Sequence, residues 1–238
     1  MQAPQKNPYR SLRRLWYRAR RPAHLTHYGV VVPTAADRVP KTVRNGVFTG
    51  QYEANEAVMV RHALREGDRV VEIGTGTGFI SALCAKICGS QNVFSFEANP
   101  KMDSLIRETY TLNDVAPQLQ MRAVTTDGSA LSFFAAENLV SSSAYARDVA
   151  GQHVTVESVT IAAVLRDLAP TVLVIDVEGA EVDLLPAANL TGVRCIILET
   201  HPHIVGKDKI NALISGLTAQ GFSVEADFQK NVLLTRTA

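Results

Sequence analysis

The sequence predicts an α/β protein built on a doubly wound, seven-stranded and mainly parallel sheet. Apolar strand segments alternate with helical segments from Arg69 to Gln220. Such repeated strand–helix units form parallel sheets with helices on both faces. After five units come two short strand segments, Ser223–Asp227 and Asn231–Thr235, whose short connection is typical of an antiparallel hairpin. We therefore expect an antiparallel strand inserted at one edge of the sheet.

The individual elements follow from short apolar runs and helical periodicity. The predicted parallel strands are Arg69–Ile73, Asn92–Phe96, Gln120–Thr125, Val172–Ile175 and Arg194–Leu198. The predicted helices are Glu53–Leu64, Phe79–Ile87, Lys101–Leu112, Ile161–Leu168, one that opens at Glu181–Leu185, and Asp208–Gln220. Residues 127–160 interrupt the rhythm, because strand-like alternation flanks a polar stretch, Ser141–Ala146.

Charge divides the chain into two parts. Residues 1–21 contain Lys6, six arginines and no acid, a sum of +7, so the rest carries +1 less +7, or −6. We assign residues 1–50 to a basic helical arm followed by an irregular segment, and residues 51–238 to the folded domain. No apolar run of secretory type follows the arm, and we expect a cytoplasmic protein. The three cysteines include no CxxC pair, which argues against a disulfide framework or a zinc site.

A glycine-rich loop, Glu72-Ile-Gly-Thr-Gly-Thr-Gly78, joins the first parallel strand to the next helix. Gly74, Gly76 and Gly78 allow positive φ and close approach of a ligand to the backbone, and the helix start offers free N–H groups to an anion. A dinucleotide loop requires a further glycine where this chain has Phe79. The spacing therefore favours S-adenosylmethionine (SAM) over NAD, with Glu72 facing the cationic methionine end.

Acidic residues end the next two strands. Glu97 follows the second strand, where its carboxylate can accept hydrogen bonds from both ribose hydroxyls; the alternative is that it caps the next helix. Asp127 follows the third strand, where it either binds the adenine amine or makes a turn with Gly128.

The ends of the fourth and fifth strands supply the candidate catalytic residues. Asp176 and Glu178 follow the fourth strand, and His201 follows the fifth. Methyl transfer to a hydroxyl requires removal of a proton, and each of the three is a candidate base. Asp176 is placed to reach SAM and Glu178 to reach the acceptor, while a hydrogen-bonded structural residue is the alternative for His201. Asp176, Glu199 and His201 are alternatively the ligands of a divalent metal. For Glu181, in the first turn of the next helix, the sequence favours a helix-terminal charge.

These runs resemble the FkbM family of SAM-dependent O-methyltransferases over roughly residues 50–203. The resemblance rests on Gly50-Gln-Tyr-Glu53, Glu72–Gly78, Phe96-Glu-Ala-Asn-Pro100, Ile175-Asp-Val-Glu-Gly-Ala-Glu181 and Glu199-Thr-His-Pro202. The chain departs from the family at its first loop, usually Asp-x-Gly-Ala-Asn-x-Gly, at Ala98 in place of proline, and at Val174 in place of lysine.

The resemblance implies a Rossmann-like SAM methyltransferase domain over residues 51–238. It implies a hydroxyl acceptor on a sugar of a glycan, glycolipid or polysaccharide precursor, or alternatively on a polyketide or peptide. It also places Tyr52 and Glu53 over the methionine end of SAM. The candidate SAM-binding residues are Tyr52, Glu72, Gly74, Thr75, Gly76, Gly78, Phe79, Glu97, Ala98, Asp127 and Asp176. No Asn-Pro-Pro-Tyr-like segment follows the fourth strand, which favours O-methylation over nucleobase methylation.

The basic arm suggests partners of its own. Leu12, Leu15, Trp16 and Ala19 recur at helical spacing opposite arginines in Arg10–Arg21, a pattern typical of an amphipathic helix on an anionic membrane surface, which would place the protein peripherally at the inner face. A cradle for an acidic acceptor, a docking arm for a second subunit of a homo-oligomer and a solvated helix are the alternatives. A non-enzymatic SAM-binding or nucleic-acid-binding module is the remaining class. The acidic body and the lack of a recognition motif argue against nucleic acid.

Overall fold

The computed structural model of the chain describes residues 1–5, 7–136 and 151–236. The polar stretch Ser141–Ala146 lies outside the described residues. The strands are β1 (His24–His27), β2 (Val30–Pro33), β3 (Val70–Ile73), β4 (Val93–Phe96), β5 (Gln118–Gln120), β6 (Ala123–Thr125), β7 (Leu131–Ala136), β8 (Gly151–Val156), β9 (Ser158–Thr160), β10 (Val172–Ile175), β11 (Cys195–Glu199), β12 (Ser223–Phe228) and β13 (Asn231–Thr235). The helices are α1 (Arg10–Arg20), α2 (Lys41–Thr49), α3 (Ala54–Ala63), α4 (Phe79–Cys88), α5 (Asp103–Leu112), α6 (Ile161–Leu168), α7 (Glu181–Leu184), α8 (Pro202–Val205) and α9 (Lys207–Ala219).

The predicted α/β fold with its mainly parallel seven-stranded sheet is confirmed. The strand order is β12-β13-β11-β10-β3-β4-β5. Neighbours from β11 to β5 are parallel, whereas β13 is antiparallel to both β11 and β12. The hairpin predicted at the end of the chain thus places β13 between the edge strand and the parallel strands.

Two apolar layers cover the sheet. In β3, Val70 packs on the face covered by α3, α4 and α5, while Val71 and Ile73 pack on the face covered by α6, α7 and α9. Alternation of side chains along a strand buries both faces at once. Each such aliphatic side chain contributes about 1.5–3 kcal/mol by leaving water. Glu72 interrupts this apolar pattern, and its buried carboxyl is the first sign of a site.

The chain between the arm and the domain is more regular than the sequence predicts. Residues 22–50 contain the β1–β2 hairpin and helix α2. Tyr28 and Gly29 both have positive φ, as a tight two-residue hairpin turn requires. The Asn113 side chain bonds both the N–H and the carbonyl of Val31, at 2.8 Å each. This order comes from contacts with a helix far along the chain.

The third predicted strand, Gln120–Thr125, is divided. Its first part is the end of edge strand β5, and its last part is β6, which pairs in parallel with β9 outside the main sheet. The Arg122 N–H donates to the Gln120 carbonyl at 3.0 Å, so the chain turns off the sheet edge at this point. No helix in the described ranges is long and apolar enough to cross a membrane.

Candidate active site

The glycine loop is locked onto the end of a neighbouring strand. Gly74 has φ +91°, and a Cβ at this position would lie 1.7 Å from the backbone carbonyl oxygen of Asp176. The Gly74 N–H donates to Phe96 at 2.9 Å, and the Asp176 N–H donates to Ile73 at 2.9 Å. Glycine is therefore required at position 74, and the carboxyl ends of β3, β4 and β10 are held together.

A first cavity of about 330 Å³ opens over these strand ends. That volume falls in the range of small-molecule sites, about 300–1,000 Å³. Six of the residues predicted to bind SAM line it: Glu72, Gly74, Gly76, Glu97, Ala98 and Asp176. It is also lined by residues that follow β5 in the chain: Arg122, Thr125, Thr126 and Leu131.

Glu97 lies between the loop and the cavity. One carboxylate oxygen accepts from the Gly76 N–H at 2.9 Å, and the other accepts from the Asn99 N–H at 2.7 Å. Burial raises the pKa of Glu97, and these N–H groups oppose that effect. The cap of the following turn comes from Asn99, whose side chain accepts from the Lys101 N–H. Glu97 therefore orders the glycine loop and presents its carboxylate to the ligand space.

Glu72 is a buried acid without a full set of partners. The residue is 1% exposed, and its Oε2 has no hydrogen-bond partner among the described residues. Burial raises the pKa of Glu72 to about 7. A carboxylate of this kind is stabilised by a cation in the adjoining cavity. The methionine end of SAM, which carries an ammonium and a sulfonium, fits this environment.

Three of the predicted SAM-binding residues pack the glycine loop against the protein core. Thr75 donates its hydroxyl to the Phe96 carbonyl at 3.2 Å. Gly78 begins α4 with φ +79° and packs against Ile106. Phe79 is fully buried. Within the described part of the chain, Thr75, Gly78 and Phe79 do not line the first cavity.

The last two predicted SAM-binding residues, Tyr52 and Asp127, do not line the first cavity within the described part of the chain. The Tyr52 hydroxyl and the Thr77 hydroxyl are 3.1 Å apart, and Tyr52 lines a second cavity rather than the first. Asp127 is fully exposed, and its Oδ1 accepts from the N–H and the hydroxyl of Ser129. The arrangement of Asp127 is that of a turn.

The second cavity, of about 560 Å³, adjoins the first. The two share four acidic residues: Glu53, Glu56, Asp176 and Glu178. Glu199 adds a fifth carboxylate to the second cavity, whose other polar lining includes Gln51, Tyr52, Asn55 and Asn231. Among the described residues, no lysine or arginine lines it. This space suits a polar ligand that carries no negative charge.

Two of the shared acids have an unusual backbone conformation. Glu53 has φ +43° and Glu178 has φ +49°, in the left-handed region that residues other than glycine seldom adopt. Such positions concentrate at functional sites, where the surrounding structure holds them. Both residues line both cavities.

His201 lies against the shared acids and is 3% exposed. Its Nδ1 is 3.3 Å from Glu181 Oε1, which also accepts from the His201 N–H at 2.9 Å. Its Nε2 is 3.5 Å from Asp176 Oδ1, 3.7 Å from Glu178 Oε2 and 3.8 Å from Glu199 Oε1. We call these five residues the His201 cluster. The three predicted catalytic residues, Asp176, Glu178 and His201, are thus brought together, although His201 lies behind the cavity lining.

The close packing of charged groups in the His201 cluster shifts the pKa values of its carboxyl groups. Burial raises the pKa of Asp176 well above its usual range, and the neighbouring carboxylates, Glu199 first, add to this effect. Burial also raises the pKa of Glu181, but its hydrogen bonds to His201 outweigh burial and leave that pKa below its usual range. Glu181 is therefore the ionised partner of the ring. The predicted metal ligands Asp176, Glu199 and His201 offer ligand atoms that all lie within 4.8 Å of one another.

Sequence reasoning missed two parts of this arrangement. Glu56, 7% exposed, accepts a bond from Asn231, and the Asn55 amide donates to the Asn231 side chain at 2.8 Å. The one available signal was the three-residue spacing of Glu53 and Glu56, which would place both on one face of the predicted helix Glu53–Leu64. Glu181, expected as a helix-terminal charge, is fully buried against His201. Their partners are far away in sequence, so no local pattern reveals them.

Comparison with known proteins identifies the family. Residues 72–224, more than half of the chain, match the model of the methyltransferase FkbM domain. The chain belongs to the FkbM methyltransferase family. No curated protein sequence matches this FkbM methyltransferase.

Several solved methyltransferase structures are similar to this chain at low sequence identity. A methyltransferase from Pyrococcus furiosus is 15% identical with a TM-score of 0.49, over 98% of this chain and 100% of that one. A precorrin-6y C5,15-methyltransferase from Geobacter metallireducens is 15% identical with a TM-score of 0.47, over 78% and 88%. A Pyrococcus abyssi tRNA (uracil-54, C5)-methyltransferase in complex with S-adenosyl-L-homocysteine is 14% identical with a TM-score of 0.46, over 90% and 43%.

Proposed function

We propose that this FkbM methyltransferase transfers the methyl group of SAM to a hydroxyl of a sugar in a glycan, glycolipid or polysaccharide precursor. The observation that carries the proposal is the pair of adjoining cavities that share Glu53, Glu56, Asp176 and Glu178. A two-substrate transfer needs two such spaces in contact, one for the donor and one for the acceptor.

The first cavity suits the donor. Glu97 would accept hydrogen bonds from the ribose hydroxyls, Gly74 and Gly76 would bind the methionine part, and Glu72 would balance its positive charge. When bound, SAM supplies an electrophilic methyl group. The residues around it hold and orient that group, and Asp176 and Glu178 mark the boundary with the acceptor space.

The second cavity suits a neutral, polyhydroxylated acceptor. Carboxylates accept hydrogen bonds from hydroxyl groups, and the amides of Asn55 and Asn231 add donors and acceptors. Phosphate or carboxylate groups inside this cavity would meet five acidic side chains with no basic residue lining the described part of it. A polyketide or peptide hydroxyl is the alternative acceptor; the polar lining favours the carbohydrate.

Glu178 is the base that best fits this geometry. It lines both cavities, and its Oε2 lies 3.7 Å from His201 Nε2. Glu178 would accept the proton of the acceptor hydroxyl as the hydroxyl oxygen takes the methyl group and the methyl–sulfur bond of SAM breaks, which releases S-adenosylhomocysteine. Positioned bases of this kind contribute about 10²–10⁴-fold to a rate. His201, oriented by Glu181 on its other side, lies against these carboxylates.

The basic arm has an exposed apolar face that suits a membrane surface. Helix α1 buries none of its residues, and large apolar side chains are exposed on and just before it: Tyr9 67%, Leu12 65%, Leu15 67% and Trp16 50%. Arginines flank this apolar face, and Tyr17 packs on Phe48 of α2. Ala3 and Pro4, just before the helix, line the second cavity. We propose that the arm lies on an anionic membrane and brings the acceptor cavity near a lipid-linked sugar.

The test is transfer of isotopically labelled methyl groups from SAM to neutral oligosaccharides, glycolipids, polyketide alcohols and RNA. We expect label in sugars, as an ether that resists alkali. Glu178→Gln should lower kcat by about 100-fold or more while the SAM Kd stays within about threefold. The control is Glu66→Gln, an exposed acid that lines neither cavity. Label in nucleobases only, or no SAM binding at millimolar concentration, would refute the proposal.

A further inference from the structure

The imidazole of His201 is held in one orientation by Glu181, which lines neither of the two cavities described above. Glu181 is fully buried, and its Oε1 contacts both the backbone N–H and the Nδ1 of His201. With the proton on Nδ1 donated to this carboxylate, Nε2 carries its lone pair toward Asp176, Glu178 and Glu199. A carboxylate that fixes the far nitrogen of a histidine in this way is typical of metal-binding imidazoles.

The contacts on the Nε2 side are too long for ordinary hydrogen bonds. The separations of 3.5–3.8 Å from Nε2 to the three carboxylate oxygens exceed the usual N–H···O range of about 2.7–3.2 Å. Asp176 Oδ1 is buried and has no hydrogen-bond partner among the described residues, although its side chain as a whole is 40% exposed. A buried, almost fully enclosed ring and an unpartnered oxygen therefore face the same point.

The spacing suits ligands around a common ion. Bonds of about 2.1 Å from a divalent cation to nitrogen and oxygen place neighbouring ligand atoms about 3.0–3.5 Å apart. Asp176, Glu199 and His201 approach this arrangement, with ligand atoms all within 4.8 Å of one another. Asp176 and Glu199 line the second cavity, which leaves one side open to water or to an acceptor.

We propose that Asp176, Glu199 and His201 bind one divalent cation of the Mn²⁺ or Mg²⁺ type, with Glu181 as the residue that positions the imidazole. Two carboxylates and one imidazole suit hard to borderline cations. A cation held there places positive charge beside the acceptor cavity, which favours an ionised hydroxyl. That role rests on the proposed function, whereas the cation site itself depends only on the cluster. Glu178 is not needed as a ligand and keeps the role of base.

The test is titration of the purified full chain with Mn²⁺ alone, followed by electron paramagnetic resonance. We expect one bound Mn²⁺ per chain, with nitrogen coupling from one imidazole in the pulsed spectrum. Glu199→Gln should lower Mn²⁺ affinity at least tenfold. Glu181→Gln should lower it by about 10–100-fold, as loss of an orienting carboxylate does. The matched control is His62→Ala, which removes an exposed histidine paired with Glu225.

Calorimetry with SAM on the same samples separates the two proposals, and thermal melting confirms that each variant is folded. Absence of stoichiometric Mn²⁺ binding, or equal affinity in wild type and Glu199→Gln, overturns the cation site while SAM binding leaves the methyltransferase proposal standing. Mn²⁺ binding with nitrogen coupling in a chain that binds no SAM supports the cation site and refutes the proposed function. If Glu181→Gln unfolds, Glu199→Gln, at the cavity surface, decides alone.

Discussion

Gly74 leaves no room for a side chain, because a Cβ would lie 1.7 Å from the carbonyl oxygen of Asp176. The glycine loop is thus defined by contact with the strand that carries the cluster carboxylates, as well as by its approach to a ligand. This contact joins the glycine loop of the first cavity to Asp176, which lines both cavities.

Gly74→Ala should therefore disrupt both folding and SAM binding. Left-handed backbone costs an L-residue about 1–2 kcal/mol, and a clash with backbone adds about 1–3 kcal/mol or more. We expect a loss of about 2–5 kcal/mol in the free energy of unfolding, measured in urea. Gly67→Ala is the control, since Gly67 has φ +82° and a Cβ added there would meet no atom within 4 Å. Equal losses in the two variants would show that the contact with Asp176 is unimportant.

Much of the parallel sheet could be predicted from the sequence, because the local apolar pattern and capping residues of its elements agree with the structure that they form. Helix α6 occupies Ile161–Leu168 as predicted, since the Thr160 hydroxyl accepts from the Ala163 N–H at its start. The hairpin at residues 24–33 was not accessible. Its order depends on the Asn113 side chain, 82 residues beyond Val31. Buried valines and a tight turn are too few local signals to outweigh the prolines and glycines around them.

The candidate site shows the same division. The strand-end acids were visible because carboxyl ends of parallel strands meet at one edge. The pairing of Glu181 with His201 was hidden, because a helix-terminal charge and a strand-end histidine are each common without such a partner. Only the pairing of β10 with β11 brings the two residues together. Glu56 was hidden for a similar reason, since its partner Asn231 lies 175 residues away.

Glu97 and Asp127 should differ in their effect on SAM affinity. Glu97→Ala removes a carboxylate that lines the first cavity and orders Gly76. Hydrogen bonds to a charged group are worth about 1.5–3 kcal/mol, so the SAM Kd should rise about 10–100-fold in calorimetry. Asp127→Ala, in an exposed turn, should leave the Kd within about threefold. A larger effect of Asp127 would restore its alternative role at the adenine.

Glu72 should make stability depend on pH. Its pKa is raised from 4.5 to about 7 in the folded chain by burial, so the folded state holds a proton that the unfolded state has released. Its contribution is fully present below about pH 4.5 and is lost as pH rises to about 7. The raised pKa corresponds to about 3 kcal/mol at most. Glu72→Gln removes this dependence.

Urea unfolding at pH 5, 6, 7 and 8 checks this prediction. Relative to wild type, Glu72→Gln should gain stability steadily from pH 5 to pH 7 and no further at pH 8. The other buried acids remain in both proteins, so the difference between the curves reports Glu72 together with its effect on the pKa of neighbouring acids such as Glu53. A difference independent of pH would mean that Glu72 stays ionised in the folded chain.

Membrane association through α1 should require its apolar face as well as its arginines. The exposed Leu12, Leu15 and Trp16 would enter the headgroup boundary, while the arginines meet anionic lipid, at about 1 kcal/mol per basic residue near the surface. The full chain should co-sediment with vesicles rich in phosphatidylglycerol at low salt, and less at high salt. Leu15→Glu should weaken binding about tenfold or more without lowering the melting temperature, because this residue makes no buried contact. The matched control is Val224→Glu, at an exposed apolar residue of β12. Binding that survives Leu15→Glu but vanishes in salt would make the association purely electrostatic, and the apolar face would then need another partner.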